Sequence, residues 1–264
     1  MSRVALIGAG PGDPELLTRK AWRIIAEADV ILYDALMDAP GMFELAPGAQ
    51  WVAVGKRAHQ ASIPQALICR MLVNYARQGL KVVRLKGGDP AVFGRLAEEL
   101  EACRAAGIEV DIVPGVTAAC AAAAQLQTSL TLRGVSRSLA FVTPRVNPHD
   151  DPDDSEWLPV SLAAQTVAIY MGGGQAALIA QRLLAAGKPP STPVCAVENA
   201  SLQGMQCAMT LGQLAQTGLP ALGGPVLLLM GEAFAPVLRA SGLSVLASDA
   251  SEAAVGLPAM ALLA

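Results

Sequence analysis

Charge, aromatic rings and histidine are all scarce in this 264-residue chain, and each scarcity removes a class of function. Only 16% of residues are charged and the formal net charge is −3, which disfavours a general nucleic-acid binder. Four Phe, three Tyr and three Trp leave too few stacking rings for a single-stranded RNA platform. Two histidines, His59 and His149, and five cysteines without a C-x-x-C pair argue against a zinc or iron–sulfur site, so no metal is expected. Cys69, Cys103, Cys120, Cys195 and Cys207 are odd in number, and no secretory signal opens the chain, which fits reduced thiols in a cytoplasmic protein. A membrane-spanning helix needs about 20 predominantly apolar residues. The charge-free stretch 112–132 is broken by Pro114, Gly115, Gln125 and Gln127, so no spanning helix and no membrane partner are expected.

What the chain does have is apolar mass. Hydrophobic residues make up 53% of it, and a chain of this length buries roughly three quarters of its unfolded surface in one large domain or two modest ones. Its charge is unevenly spread: the first 145 residues carry a net +3 and the remainder −6. An anionic small molecule is therefore more at home in the first half.

The first half alternates short β-branched runs, at 4–7, 30–33, 51–54, 81–85 and 110–113, with helical patterns at 14–28, 64–78 and 95–106. Asp13 stands as N-cap of the first helix with Pro14 behind it, and Gly107 ends the third. Strands alternating with helices predict an α/β fold with a mostly parallel sheet and ligands at the carboxyl ends of its strands. The second half shows strands at 138–143, 166–170, 194–197, 205–210 and 226–230, with helices at 175–186 and 211–216. An acidic, proline-containing stretch at 147–157 reads as an exposed loop. These patterns predict an N-terminal α/β domain over 1–133, a C-terminal α/β domain with a mixed sheet over 134–236, and a tail over 237–264.

Three glycine-rich turns follow strands. Gly8-Ala9-Gly10-Pro11-Gly12-Asp13 has the context of a dinucleotide fingerprint, but Asp13 occupies the position of the third glycine. A carboxylate at a helix N-terminus opposes a pyrophosphate, so the turn wants another ligand. Lys86-Gly87-Gly88-Asp89-Pro90 and Pro114-Gly115-Val116-Thr117-Ala118 are the other two turns. Together the three predict one concave pocket for a bulky, largely uncharged ligand such as an adenosyl group.

These residues also carry a resemblance. VALIGAGPGDPELLT at 4–18, YDAL at 33–36, GKR at 55–57 and VVRLKGGDPAVFGR at 82–95 resemble the uroporphyrinogen-III C-methyltransferase branch of the tetrapyrrole methylases. The similarity continues in order through VPGVTAA at 113–119, TLRG at 131–134, YMG at 170–172 and ENAS at 198–201. The resemblance implies two α/β domains of the tetrapyrrole methylase type with the active site in the cleft between them, a homodimer, and S-adenosylmethionine as methyl donor, with S-adenosylhomocysteine as product. It implies methylation of uroporphyrinogen III at carbons 2 and 7 to give precorrin-2. For the cofactor it implies Pro11, Gly87, Gly88, Asp89, Val92, Thr117, Ala118, Met171 and Ala200.

The implied substrate bears eight carboxylates, which planar guanidinium groups suit best. The resemblance implies Arg133 and Arg95 as substrate contacts, with Glu98 one helical turn from Arg95 on the same face. Asp34 and Lys56 match positions assigned as proton acceptor and donor, and Arg95 matches an arginine also proposed as the base. An arginine base would need an exceptional pKa shift, so the chemistry favours Asp34 or a bound water as base, with Arg95 stabilising charge. The sequence departs from the family at Leu132 (TLRG for THRG), Pro144-Arg145 (VTPR for VTGH), Ala91 (for an aromatic) and Ala200 (for glycine). Alternative readings are a later precorrin C-methyltransferase and a non-catalytic tetrapyrrole- or S-adenosylmethionine-binding regulator. No further dehydrogenase or chelatase domain precedes residue 3, so onward conversion to sirohaem is not expected.

Overall fold

Residues 3–34, 41–55, 63–144 and 156–241 are described by the structure, a computed structural model. The first five strands are β1 (Arg3–Gly8), β2 (Val30–Tyr33), β3 (Gln50–Ala53), β4 (Val82–Lys86) and β5 (Glu109–Val113). They form an all-parallel sheet in the order β3-β2-β4-β1-β5. Side chains alternate between its faces. Val4 and Leu6 join a core with Ile68 and Leu72 of α2 (Gln65–Arg77) and Cys103 of α3 (Leu96–Ala105). Ala5 and Ile7 join a second core with Ala21 and Ile25 of α1 (Arg19–Ala26). Burial on both faces is why these strands read as near-continuous apolar runs.

The strand order also locates the site. From β1 the chain passes to β2 on one side, and from β4 it passes to β5 on the other, with α1 and α3 on opposite faces. Adjacent strands whose connections diverge in this way open a crevice at their carboxyl ends. The turns after β1 and β4 lie at that point.

One expected helix divides in two. Asp13 caps only a single 3-10 turn, Pro14–Leu16, after which Leu17 is extended at φ −64° and ψ 137°. Thr18 then starts α1, its hydroxyl accepting from the Ala21 amide at 3.1 Å. The second capping residue redirects the chain so that Ala21 and Ile25 reach the sheet.

The second sheet contains β6 (Leu139–Val142), β7 (Thr166–Ile169), β8 (Pro193–Glu198), β9 (Gln206–Thr210) and β10 (Val226–Met230), in the order β6-β7-β10-β8-β9. Only the β6–β7 pair is parallel; the others are antiparallel, giving a mixed sheet. Helices α5 (Trp157–Ala163), α6 (Ala176–Ala185) and α7 (Leu211–Thr217) cover one face. The other face packs against α8 (Ala235–Ala240) and against α4 (Ala118–Gln125), a helix that follows β5 in the chain. Leu238 is buried, so α8 takes in the first four residues assigned above to a tail. Among the described residues no helix is long and apolar enough to cross a membrane.

Candidate active site

The turns after β1, β4 and β5 meet with no space between their backbones. Ala9 donates to the Lys86 carbonyl at 2.8 Å, and Gly10 and Gly88 exchange backbone hydrogen bonds at 3.2 and 2.7 Å. A Cβ on Gly115 would lie 2.3 Å from the Gly88 carbonyl oxygen and 2.8 Å from Gly8 Cα. Glycine is required there by packing rather than by conformation. Asp89 ties the second turn to the third: one carboxylate oxygen accepts from Ala91 N at 2.8 Å, the other from Gly115 N at 3.0 Å. Asp13 accepts from Glu15 N at 2.8 Å and its own amide donates to Ser201 of the second half at 3.0 Å.

Opposite these turns stand residues at the strand ends of the second sheet, Tyr170 just after β7 and Glu198 closing β8. The Tyr170 hydroxyl lies 2.6 Å from Thr117 Oγ1 and accepts from Ala119 N at 3.2 Å, while its ring packs on Phe93 and Phe141. Burial pushes the Tyr170 phenol up, partly countered by those two hydrogen bonds. Glu198, at the end of β8, accepts from the amides of Gly223, Gly224 and Met205 at 2.9, 2.8 and 3.2 Å. Those donors hold its carboxyl below the usual range and pin the segment 219–225 in place.

Between the two sides lies a cavity of about 640 Å³, within the range of small-molecule sites. Pro11, Gly87, Gly88, Asp89, Val92, Thr117, Ala118, Met171 and Ala200 all line it. So do residues that sequence reading missed: Phe93, Tyr170, Val197 and the segment 219–227 apart from Gly223. For Phe93 and Tyr170 a signal existed, since each adjoins a residue already singled out. The 219–225 segment offered none, because its role depends on the Glu198 clamp. Phe93, Met171, Asn199 and Ser201 have φ between 49° and 75°, strained for side chains other than glycine. Such strain concentrates at ligand sites.

The groups expected to act on the substrate sit outside this lining. Asp34 follows β2 with its side chain 28% exposed. Arg95, the N-cap of α3 at φ 55°, holds Glu98 through two hydrogen bonds of 2.7 and 2.8 Å. That pairing pushes the Arg95 guanidinium up and the Glu98 carboxyl down. Arg133 is exposed and makes no ion pair among the described residues. Lys56 and Arg145 lie outside the described residues.

A buried charge cluster, unread in the sequence, joins several of these groups. On β4, Arg84 and Lys86 point to the α3 face, where Glu99 accepts from Arg84 Nε at 3.0 Å and Lys86 Nζ at 2.8 Å. Side-chain exposure is 3%, 4% and 0% for Arg84, Lys86 and Glu99. Gln65 donates to the same Glu99 oxygen that Arg84 uses, at 3.0 Å. Arg84 Nη2 donates to Asp34 Oδ1, and Nη1 to the carbonyls of Leu85 and Leu32 at 2.9 and 3.4 Å. Burial lowers the Lys86 ammonium, with Arg84 adding to the effect and Glu99 opposing it. The available signal was two cations spaced two apart in an otherwise apolar strand, hence on one face.

Comparison with known proteins agrees with this geometry. A profile of the tetrapyrrole (corrin/porphyrin) methylases matches residues 3–215. The chain is 43% identical over 232 residues to a uroporphyrinogen-III C-methyltransferase of Pseudomonas aeruginosa, covering 87% of this chain and 93% of that one. It is also 43% identical to siroheme synthase 1 of Pectobacterium atrosepticum over 87% of this chain, but spans only 47% of that protein's length. A solved uroporphyrin-III C-methyl transferase of Thermus thermophilus, complexed with S-adenyl homocysteine, superposes with a TM-score of 0.75 at 38% identity. That match covers 90% of this chain and 99% of the other.

Proposed function

The chain belongs to the tetrapyrrole methylases, and from that membership we propose that it methylates carbons 2 and 7 of uroporphyrinogen III with S-adenosylmethionine, giving precorrin-2. The observation that carries this reading is that all nine residues expected to hold the cofactor line one cavity at the β1–β4 crevice. The chain spans about half the length of the siroheme synthases it matches, and the proposal is for the methyl-transfer step.

The residues present fit an adenosyl ligand. Val92, Val197, Ala200 and Leu227 give the cavity an apolar lining, and the glycine turns leave their backbones open to close approach. Both Asp89 oxygens already accept from backbone amides, yet each keeps a lone pair for a further donor. Met171, 69% exposed, presents its thioether and methyl to the cavity. Bound here, S-adenosylmethionine supplies an electrophilic methyl group.

The remaining chemistry falls to the protein's side chains. Arg133, which makes no ion pair among the described residues, binds substrate carboxylates. Arg95 stays cationic beside Glu98, its pKa moved away from the range a base requires, so it stabilises charge. Asp34 accepts the proton that the macrocycle loses from the methylene bridge beside the methylated ring, with Lys56 as donor by resemblance. Orientation of the two reacting carbons supplies much of the rate, and the base about 10²-fold more. A cytoplasmic homodimer belongs to the same reading, supported by five free thiols and by exposed Leu132, Val135 and Leu139 along one stretch of chain.

Anaerobic incubation with uroporphyrinogen III and S-adenosylmethionine tests the assignment by product mass. Two methyl groups per macrocycle with turnover are expected. Tight cofactor binding without incorporation would instead mark another tetrapyrrole as substrate, or a binding protein.

A further inference from the structure

The cluster Lys86–Glu99–Arg84 has no evident stabilising purpose. Burying each ion carries a desolvation cost, and apolar side chains of similar volume would serve the core between β4 and α3 as well. What the cluster does is immobilise one guanidinium. Arg84 is held on three sides, by Glu99 through Nε and by the Leu85 and Leu32 carbonyls through Nη1. Its remaining nitrogen, Nη2, is aimed at Asp34 Oδ1. The Leu85 carbonyl also accepts from the Asp34 amide at 3.3 Å, so backbone and side chain of Asp34 are fixed from one point. Asp34 Oδ2 is left with no hydrogen bond among the described residues, on a side chain that reaches solvent. Glu99 also sits in the first turn of α3, beside Glu98 and its partner Arg95. One buried carboxylate therefore sets the positions of Asp34 and of the Arg95–Glu98 turn together.

We propose that Arg84 and Glu99 are positioning residues for methyl transfer: their ion pair holds Asp34 so that Oδ2 receives the proton the macrocycle loses. In that step a C–H bond of the methylene bridge beside the methylated ring breaks, its electron pair forms a C=C bond to that ring and neutralises the iminium left by methylation, and the proton goes to Oδ2. The inference rests on Asp34 being the proton acceptor.

A variant cycle tests it. Arg84→Lys keeps the charge but cannot span Glu99, the carbonyls and Asp34 at once. Glu99→Gln keeps the shape, so it carries the comparison if Arg84→Lys folds poorly. Each is expected to lower kcat about 10²-fold, while KM for uroporphyrinogen III and the S-adenosylhomocysteine Kd move less than about threefold. The decisive readout is coupling: Asp34→Asn combined with Arg84→Lys should be no slower than Asp34→Asn alone, because both remove the same function. Losses that multiply in the double variant, or Arg84→Lys turning over at the wild-type rate beside an inactive Asp34→Asn, would overturn the positioning role alone. Wild-type turnover in Asp34→Asn would remove the proton-acceptor reading and this inference with it.

Discussion

Replacing Gly115 by alanine tests the central geometric claim, that three strand ends close on one another to form the floor of the cavity. The added methyl would stand 2.3 Å from the Gly88 carbonyl oxygen, with Gly8 C and Cα both at 2.8 Å. All three neighbours are backbone atoms of strand termini, so no side chain can rotate away. Relief to an ordinary separation of about 3.5 Å moves one strand end by about 1 Å. Overpacking of this kind costs about 1–3 kcal/mol, and a rigid backbone partner puts Gly115→Ala at the upper end. In a chain of this size, about 3 kcal/mol lowers Tm by about 6–12 °C. The same displacement breaks the hydrogen bond from Gly115 N to Asp89 and shifts Gly88 at the cavity wall. S-adenosylhomocysteine should bind at least about tenfold more weakly, a loss of about 1.4 kcal/mol. Gly48→Ala is the control, since a Cβ there meets nothing within 4 Å. Calorimetric titration and a thermal melt of both variants decide the matter. Gly115→Ala with unchanged Tm and affinity would refute the claim that the strand ends are in contact.

Arg133→Ala is expected to abolish methyl incorporation while S-adenosylhomocysteine binding stays intact; equal activity would remove its assigned role. Tyr170→Phe deletes the hydroxyl that joins Thr117 and the Ala119 amide across the two halves. It should cost about 1–3 kcal/mol in a denaturant titration and weaken cofactor affinity more than it changes KM for the tetrapyrrole. Glu198 has a folded pKa below its unfolded value, so its contribution is full above the ordinary carboxylate range and is lost as pH falls through the lowered folded value. Glu198→Ala should therefore bind the cofactor more weakly at neutral pH and flatten the acid limb of the Tm–pH curve; an unchanged acid limb would show that the clamp on Gly223 and Gly224 is unimportant.

Strands were legible wherever β-branched residues clustered, because strands buried on both faces have little else to be. The helix α4 left no such trace. Its run of alanines has no amphipathic period and no side-chain cap, and Ala119, Ala121, Ala122 and Ala123 are all buried. The break at Leu17 was hidden by a helical pattern that continues across it, and only the Thr18 cap reveals it. The cavity at the glycine turns was foreshadowed by turns that recur after strands, whereas the Arg84–Glu99 pair spans fifteen positions and two elements. Nothing local distinguishes a buried Glu99 from its exposed neighbour Glu98; packing against β4 decides between them.

The placement of α4 bears on how such chains can be recombined. By sequence it follows the last strand of the first sheet, yet Ala119, Ala121 and Ala122 pack with Cys195, Val197 and Leu229 of the second. A chimera that exchanged everything through Gln125 between two relatives would graft a foreign helix onto a native sheet. A crossover before Thr117 keeps that core from one parent but divides the wall of the cavity. Modular shuffling of the two halves therefore requires α4 and the face it covers to be exchanged as one block.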